Sequence, residues 1–162
     1  MKYTSVNEID TLSLADSLIV RCIYSKKQEL LEFEIKGAVV RENNSANDTY
    51  TDRYVSDMQL RFIGLHMEAL LLEGHSYYDA NDTLIETVPD KPVDEDCYEQ
   101  VLKCFEGNLI FFAGRPKENK DLETGRDKAC YQMIVDVEEE SYVLSFYYDK
   151  VTASWEHFMN KA

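Results

Sequence analysis

Three histidines and four cysteines are the residues here most able to do chemistry, and their spacing assigns them none. His66, His75 and His157 include no pair four apart, the spacing that turns two imidazoles on one helix face toward a zinc ion. Cys22, Cys97, Cys104 and Cys130 include no Cys-x-x-Cys pair to complete such a site. No serine stands in a Gly-x-Ser-x-Gly turn, and no glycine-rich loop is there to cradle a phosphate. Cys97 and Cys104 lie seven apart among acidic residues, where no cation would hold a thiolate. They are expected to be packing thiols. A general acid and base drawn from the 31 carboxylates would leave no mark in the spacing. The sequence therefore marks no catalytic, cofactor-binding or metal-ligating residue.

Asp79-Ala80-Asn81-Asp82-Thr83 resembles the start of an EF-hand loop, with oxygens at the first, third and fifth positions. The sixth position, glycine in that loop, is Leu84, and the twelfth, a bidentate glutamate, is Asp90. The flanks, Ser76 to Tyr78 and Leu84 to Val88, are rich in strand formers. The expectation is a hairpin turn.

Charge says more than any motif. The chain carries 31 acidic and 17 basic side chains, a net charge of −14. That field repels phosphate, so nucleic acid and anionic membrane are excluded as partners and a basic protein is favoured. The imbalance is concentrated: residues 57–114 hold 3 basic and 12 acidic side chains. Asp79, Asp82, Glu86, Asp90, Asp94, Glu95 and Asp96 cluster there around Lys91 and form the candidate partner-binding surface. The same charges would also keep the molecule soluble and suit a helix start. Residues 1–16 show no basic region followed by an apolar run, and no stretch nears the roughly 18 apolar residues of a membrane span. The expected location is the cytoplasm, with the thiols reduced and mostly buried.

The elements that must carry this surface follow from periodicity. Leu31, Phe33 and Ile35 alternate with glutamates and lysine, and Leu18–Tyr24 before them is β-rich, so the two read as a hairpin. Met58, Leu60 and Phe62 alternate in the same way, as do Tyr131, Met133 and Val135. Residues 66–73 are good helix formers between strand-like neighbours; the expectation is a buried strand paired with the Met58 strand. Pro89 and Pro92 should end the sheet locally. A central helix is expected over about 94–106, burying Cys97, Val101, Cys104 and Phe105. Short terminal helices are expected from the Ser5…Glu8 capping box and from Trp155, Phe158 and Met159. Residues 42–51 and 115–128 read as polar loops, the first holding glycosylation-type triplets at Asn43 and Asn47 that have no meaning without secretion.

Together these imply one domain, 1–162, mainly β with some helix: an antiparallel meander curled into a sandwich or barrel. Hydrophobic residues at 44% suffice for a core. Size, acidity and β-rich build are similar to those of many bacterial immunity proteins, which neutralise basic toxins; the similarity is one of class and assigns no residue. The expected function is non-catalytic protein binding through the acidic surface. The alternatives are a ligand held in a Tyr-lined cavity of the curled sheet, and an enzyme with a dispersed acid/base site.

Overall fold

The computed structural model describes residues 1–115 and 130–162. The polar segment expected over 115–128 lies outside the described residues from position 116 onward. The strands are β1 (Tyr3–Val6), β2 (Leu12–Ser13), β3 (Leu18–Ser25), β4 (Leu30–Lys36), β5 (Val39–Val40), β6 (Arg53–Val55), β7 (Met58–Ile63) and β8 (His66–Leu72). They continue with β9 (His75–Tyr78), β10 (Leu84–Val88), β11 (Lys91–Pro92), β12 (Ile110–Gly114), β13 (Tyr131–Val137), β14 (Glu140–Tyr147), β15 (Lys150–Trp155) and β16 (Phe158–Lys161). All pairings among the described residues are antiparallel.

The alternating segments behave as their pattern requires. Leu31, Phe33 and Ile35 of β4 sit opposite Phe62, Leu60 and Met58 of β7, and all six are fully buried. Their polar neighbours Glu32, Glu34, Gln59 and Arg61 face outward, with Arg61 3.6 Å from the Glu32 carboxylate. These strands belong to a sheet ordered β1-β15-β7-β4-β3. A second sheet, β11-β8-β14-β13-β12, turns Met133, Val135, Leu144 and Phe146 toward it. Phe62 joins the layers, its ring 4.7 Å from Phe146 and 5.6 Å from Tyr131. A smaller sheet, β16-β6-β5-β2, adds Leu12, Val40 and Val55 to the same core. The architecture is a sandwich, and among the described residues no sheet closes into a barrel.

The order departs from simple succession where the chain changes layers. Between β7 and β8 the chain turns at Gly64, whose φ is +70°. A Cβ there would lie 2.1 Å from a carboxylate oxygen of Asp149, so glycine alone lets this corner touch the one between β14 and β15. Residues 66–72 therefore form a strand, as expected, but in the other layer, and of them only Leu70 is buried. They pair with β14 and β11, not with the Met58 strand.

The helical expectations need correction. The central helix is a 3-10 turn at Glu95–Cys97 followed by α1 (Tyr98–Lys103), closing at Gly107. The tighter first turn shifts its phase. Tyr98, Val101, Leu102 and Phe105 form its inner stripe, while Cys97 and Cys104 are exposed. Only Cys22 and Cys130 are buried thiols.

Neither terminus is an α-helix. Ser5 lies in β1, paired with β15, and accepts a hydrogen bond from Asn44 Nδ2 (3.1 Å); Glu8 accepts one from Ser45 N (2.9 Å). Only a 3-10 turn at Ile9–Thr11 follows. At the other end, Trp155 ends β15 and Phe158 begins β16. Between them the amides of Glu156 and His157 donate to Ser56 Oγ (3.2 and 3.0 Å). Trp155 is fully buried against Tyr3 and Phe158, but Met159 is exposed. Residues 41–52 do form a loop, built on Asn44 and Asn47, both buried. Asn47 Nδ2 shares its protons among the carbonyls of Val40, Arg41 and Thr51. Among the described residues no helix is long and apolar enough to cross a membrane.

Candidate functional site: an acidic arm and its root

The candidate surface begins where β8 ends at Leu72. The chain leaves the sheet edge, runs out along β9, returns along β10, and re-pairs Lys91 with Leu72 and Pro92 with Leu71. Pro92 is tolerated because β11 is an edge strand. The excursion is pinched at its root: the Gly74 amide donates to Asp90 Oδ1 (2.7 Å). A Cβ on Gly74 would fall 2.0 Å from the Val88 carbonyl oxygen. Only glycine permits that crossing.

At the tip, Asp79 Oδ1 accepts from the amides of Asn81 (2.8 Å) and Thr83 (2.9 Å), and Asp82 takes a left-handed φ of 59°. The carboxylate at the start of the EF-hand-like run thus caps the hairpin's own backbone, as an Asx turn does. Val88 pairs with His75, Thr87 with Ser76, Glu86 with Tyr77 and Leu84 with Tyr78; the shift between Leu84 and Glu86 leaves Ile85 bulged. One face of this ribbon therefore carries His75, Tyr77, Glu86 and Val88, and the other Ser76, Tyr78, Leu84 and Thr87. Among the described residues β9 and β10 pair only with each other. Every residue from His75 to Pro92 is exposed, including Tyr78 at 61% and Ile85 at 67%.

The inner face overlooks a groove of about 820 Å³ lined by Leu72, Tyr77 and Val88 and by the carboxylates of Glu73, Asp90, Glu139 and Glu140. Lys91 is the one lysine or arginine among the described residues on its wall. The second sheet makes this juxtaposition: Tyr142 pairs with Leu72, and the Glu73 amide donates to the Ser141 carbonyl (2.8 Å). The tight turn between β13 and β14 is thereby held against the arm's root.

The seven carboxylates expected to act together are all exposed, and they fall into two groups. Asp79, Asp82, Glu86 and Asp90 belong to the arm and its root and have no ion-pair partner among the described residues. Glu95 pairs with Lys26, and Glu95 and Asp96 line a separate recess with Lys26 and Lys27. Asp94 lies between the groups, N-terminal to the 3-10 turn. Sequence reasoning missed Glu73, Glu139 and Glu140. The Glu138-Glu139-Glu140 run was a visible signal, but its place beside the arm depends on the pairing of β14 with β8.

The groups pushed furthest from their ordinary values lie elsewhere, in the core. Burial, then the nearby Glu106 carboxylate, raises the Cys22 thiol to about 12. Burial likewise drives the Tyr131 phenol up. Loss of water causes both shifts, the mark of packing and not of a tuned acid/base pair. Among the described residues no three His, Cys, Asp or Glu side chains converge to hold a metal ion.

Comparison with protein-family models, with curated proteins and with solved structures returned no match.

Proposed function

We propose that this protein acts by binding, without catalysis, and that its partner is a basic protein met through the acidic surface. The observation that carries the reading is the arm: apolar and aromatic side chains held in water and framed by carboxylates that have no ion-pair partner among the described residues. Apolar anchors within a charged rim are the anatomy of an interface, and the charge sets the sign of the partner. No lysine or arginine occurs between Arg61 and Lys91, so this part of the field is uniformly negative. The sandwich interior is filled by side chains such as Phe33, Phe62, Phe105 and Phe146, which favours the surface over an enclosed ligand site. The four free cysteines suit a reducing cytoplasm. The class similarity to immunity proteins supports the same sign of partner.

The test is capture from native lysate at low and high salt, followed by association rates for wild type and for the Asp90→Lys, Asp94→Lys, Asp96→Lys variant. Electrostatic steering predicts slower association and a flatter salt dependence in the variant. Equal rates with equal salt slopes would reduce the cluster to a solubility feature.

A further inference from the structure

We infer that the β9–β10 arm is a strand-receiving clasp: an extended, cationic segment of the partner adds along one of its free edges, its basic side chains reaching the carboxylates at the root. The inference rests on the protein-binding reading and names the form in which the partner binds.

Three observations carry it. First, among the described residues β9 and β10 have no other strand neighbour, so within these residues each offers a row of unpaired amides and carbonyls along its outer edge. Such an edge is a template for another strand, and main-chain pairing supplies affinity whatever the sequence added. A two-stranded ribbon is marginal in water, and a third strand is what stabilises it. Second, the arm adds no residue to the hydrophobic core, although Tyr77, Tyr78, Leu84, Ile85 and Val88 are all large and exposed. Side chains of a partner strand would cover them at alternate positions.

Third, charge selects the occupant. A second copy of this chain would bring Asp79, Asp82 and Glu86 against the same residues, and like charges on adjacent strands repel. A strand with lysine or arginine at every second position instead meets opposite charge. On the inner face its cations would reach Glu73, Asp90, Glu139 and Glu140, which share the groove with Tyr77 and Val88. Lys91, at the same wall, limits how deep a cation can sit.

The experiment uses the intact protein and a fluorescein-labelled peptide of alternating Arg and Val, read by anisotropy at low salt. A second peptide has the same sequence with alternate backbone amides N-methylated, which keeps charge and side chains but cannot pair as a strand. The clasp predicts that the first binds and that methylation weakens it by about tenfold or more, the scale of one lost interface anchor. Hydrogen exchange should slow at amides of His75–Tyr78 or Leu84–Val88 when the first peptide binds. A Glu73→Gln, Glu139→Gln, Glu140→Gln variant, which leaves the arm intact, should bind more weakly and lose salt dependence. Equal binding of both peptides, or protection confined to amides outside the arm, would overturn the clasp and leave the acidic-surface reading standing. Failure of both peptides to bind would overturn the two together.

Discussion

β4 and β10 are built alike and fare oppositely. Each mixes apolar with polar residues, and each pairs antiparallel with a neighbour. Yet Phe33 is fully buried and Ile85 is 67% exposed. What differs is the second layer. β4 has β13 and β14 across the sandwich, so its apolar alternate residues become core. Among the described residues β10 has no second layer across from it, only a groove partly lined by carboxylates. Strand formation and burial are therefore separate decisions: the first is local, the second belongs to the sheet that arrives opposite. Stability should be concentrated in one region and binding in the other, and substitutions can separate them.

The largest effect is expected at Phe62, where the two layers meet. Phe62→Ala removes a ring in contact with Phe33, Tyr131, Phe146 and Tyr148. The cost should be about 3–5 kcal/mol, read from a denaturant midpoint. A loss below about 1 kcal/mol, the scale of an ordinary surface change, would mean that the sheets do not share a core as described.

A somewhat smaller effect is expected from alkali, again confined to the core. The folded Cys22 thiol is raised to about 12 from 9.0, and the Tyr131 phenol is also raised, in both cases chiefly by burial. In the unfolded chain these groups lose protons at lower pH than in the native state. Once pH passes the unfolded values, the native state binds more protons, and stability must fall as pH rises. The fall should begin near pH 9 and steepen as tyrosine joins it, at on the order of 1 kcal/mol per pH unit for each such group. Cys22→Ala should flatten the early part of that slope in melts taken between neutral and strongly alkaline pH. An unchanged slope would show that Cys22 is not held neutral by the fold.

How far the sequence revealed these two regions follows the same division. The inward sets of β4, β7 and β13 were legible because strict alternation names both the element and its dry face. The β9–β10 hairpin was legible from its turn, with Asp79 and Asp82 flanked by strand formers. Three things were not legible. The layer change at Gly64 depends on contact with Asp149, 85 residues away, and no local pattern encodes it. The terminal spacing Trp155, Phe158, Met159 suits a helix face, yet it equally fits two strands joined through Glu156 and His157, and the Ser56 hydroxyl selects the second. Of the site, the acidic residues of the arm were legible from composition. Their grouping was not, because Lys26 and Lys27, which accompany Glu95, come from the turn between β3 and β4, and Glu139 and Glu140, which accompany Asp90, come from the turn between β13 and β14 and the start of β14.

The smallest effect on stability is expected in the arm, and it is the sharpest test of the comparison. Tyr78 and Leu84 face each other on the outer side of the ribbon, and Ile85 sits in the bulge beside them. None belongs to the hydrophobic core, and all three are more than half exposed. In an ordinary strand pair, replacing such residues would remove cross-strand contact and buried area together. Here the buried area is already small, so Tyr78→Ser with Ile85→Ser should change the unfolding free energy by no more than about 0.5 kcal/mol, the range of substitutions remote from structural features. The same double variant also removes two of the largest exposed apolar groups on the arm, so binding should weaken while the denaturant midpoint stays in place. A shift of the midpoint comparable to that of Phe62→Ala would place the arm within the cooperative core and erase the distinction between the two regions. An unmoved midpoint with weakened binding would establish it.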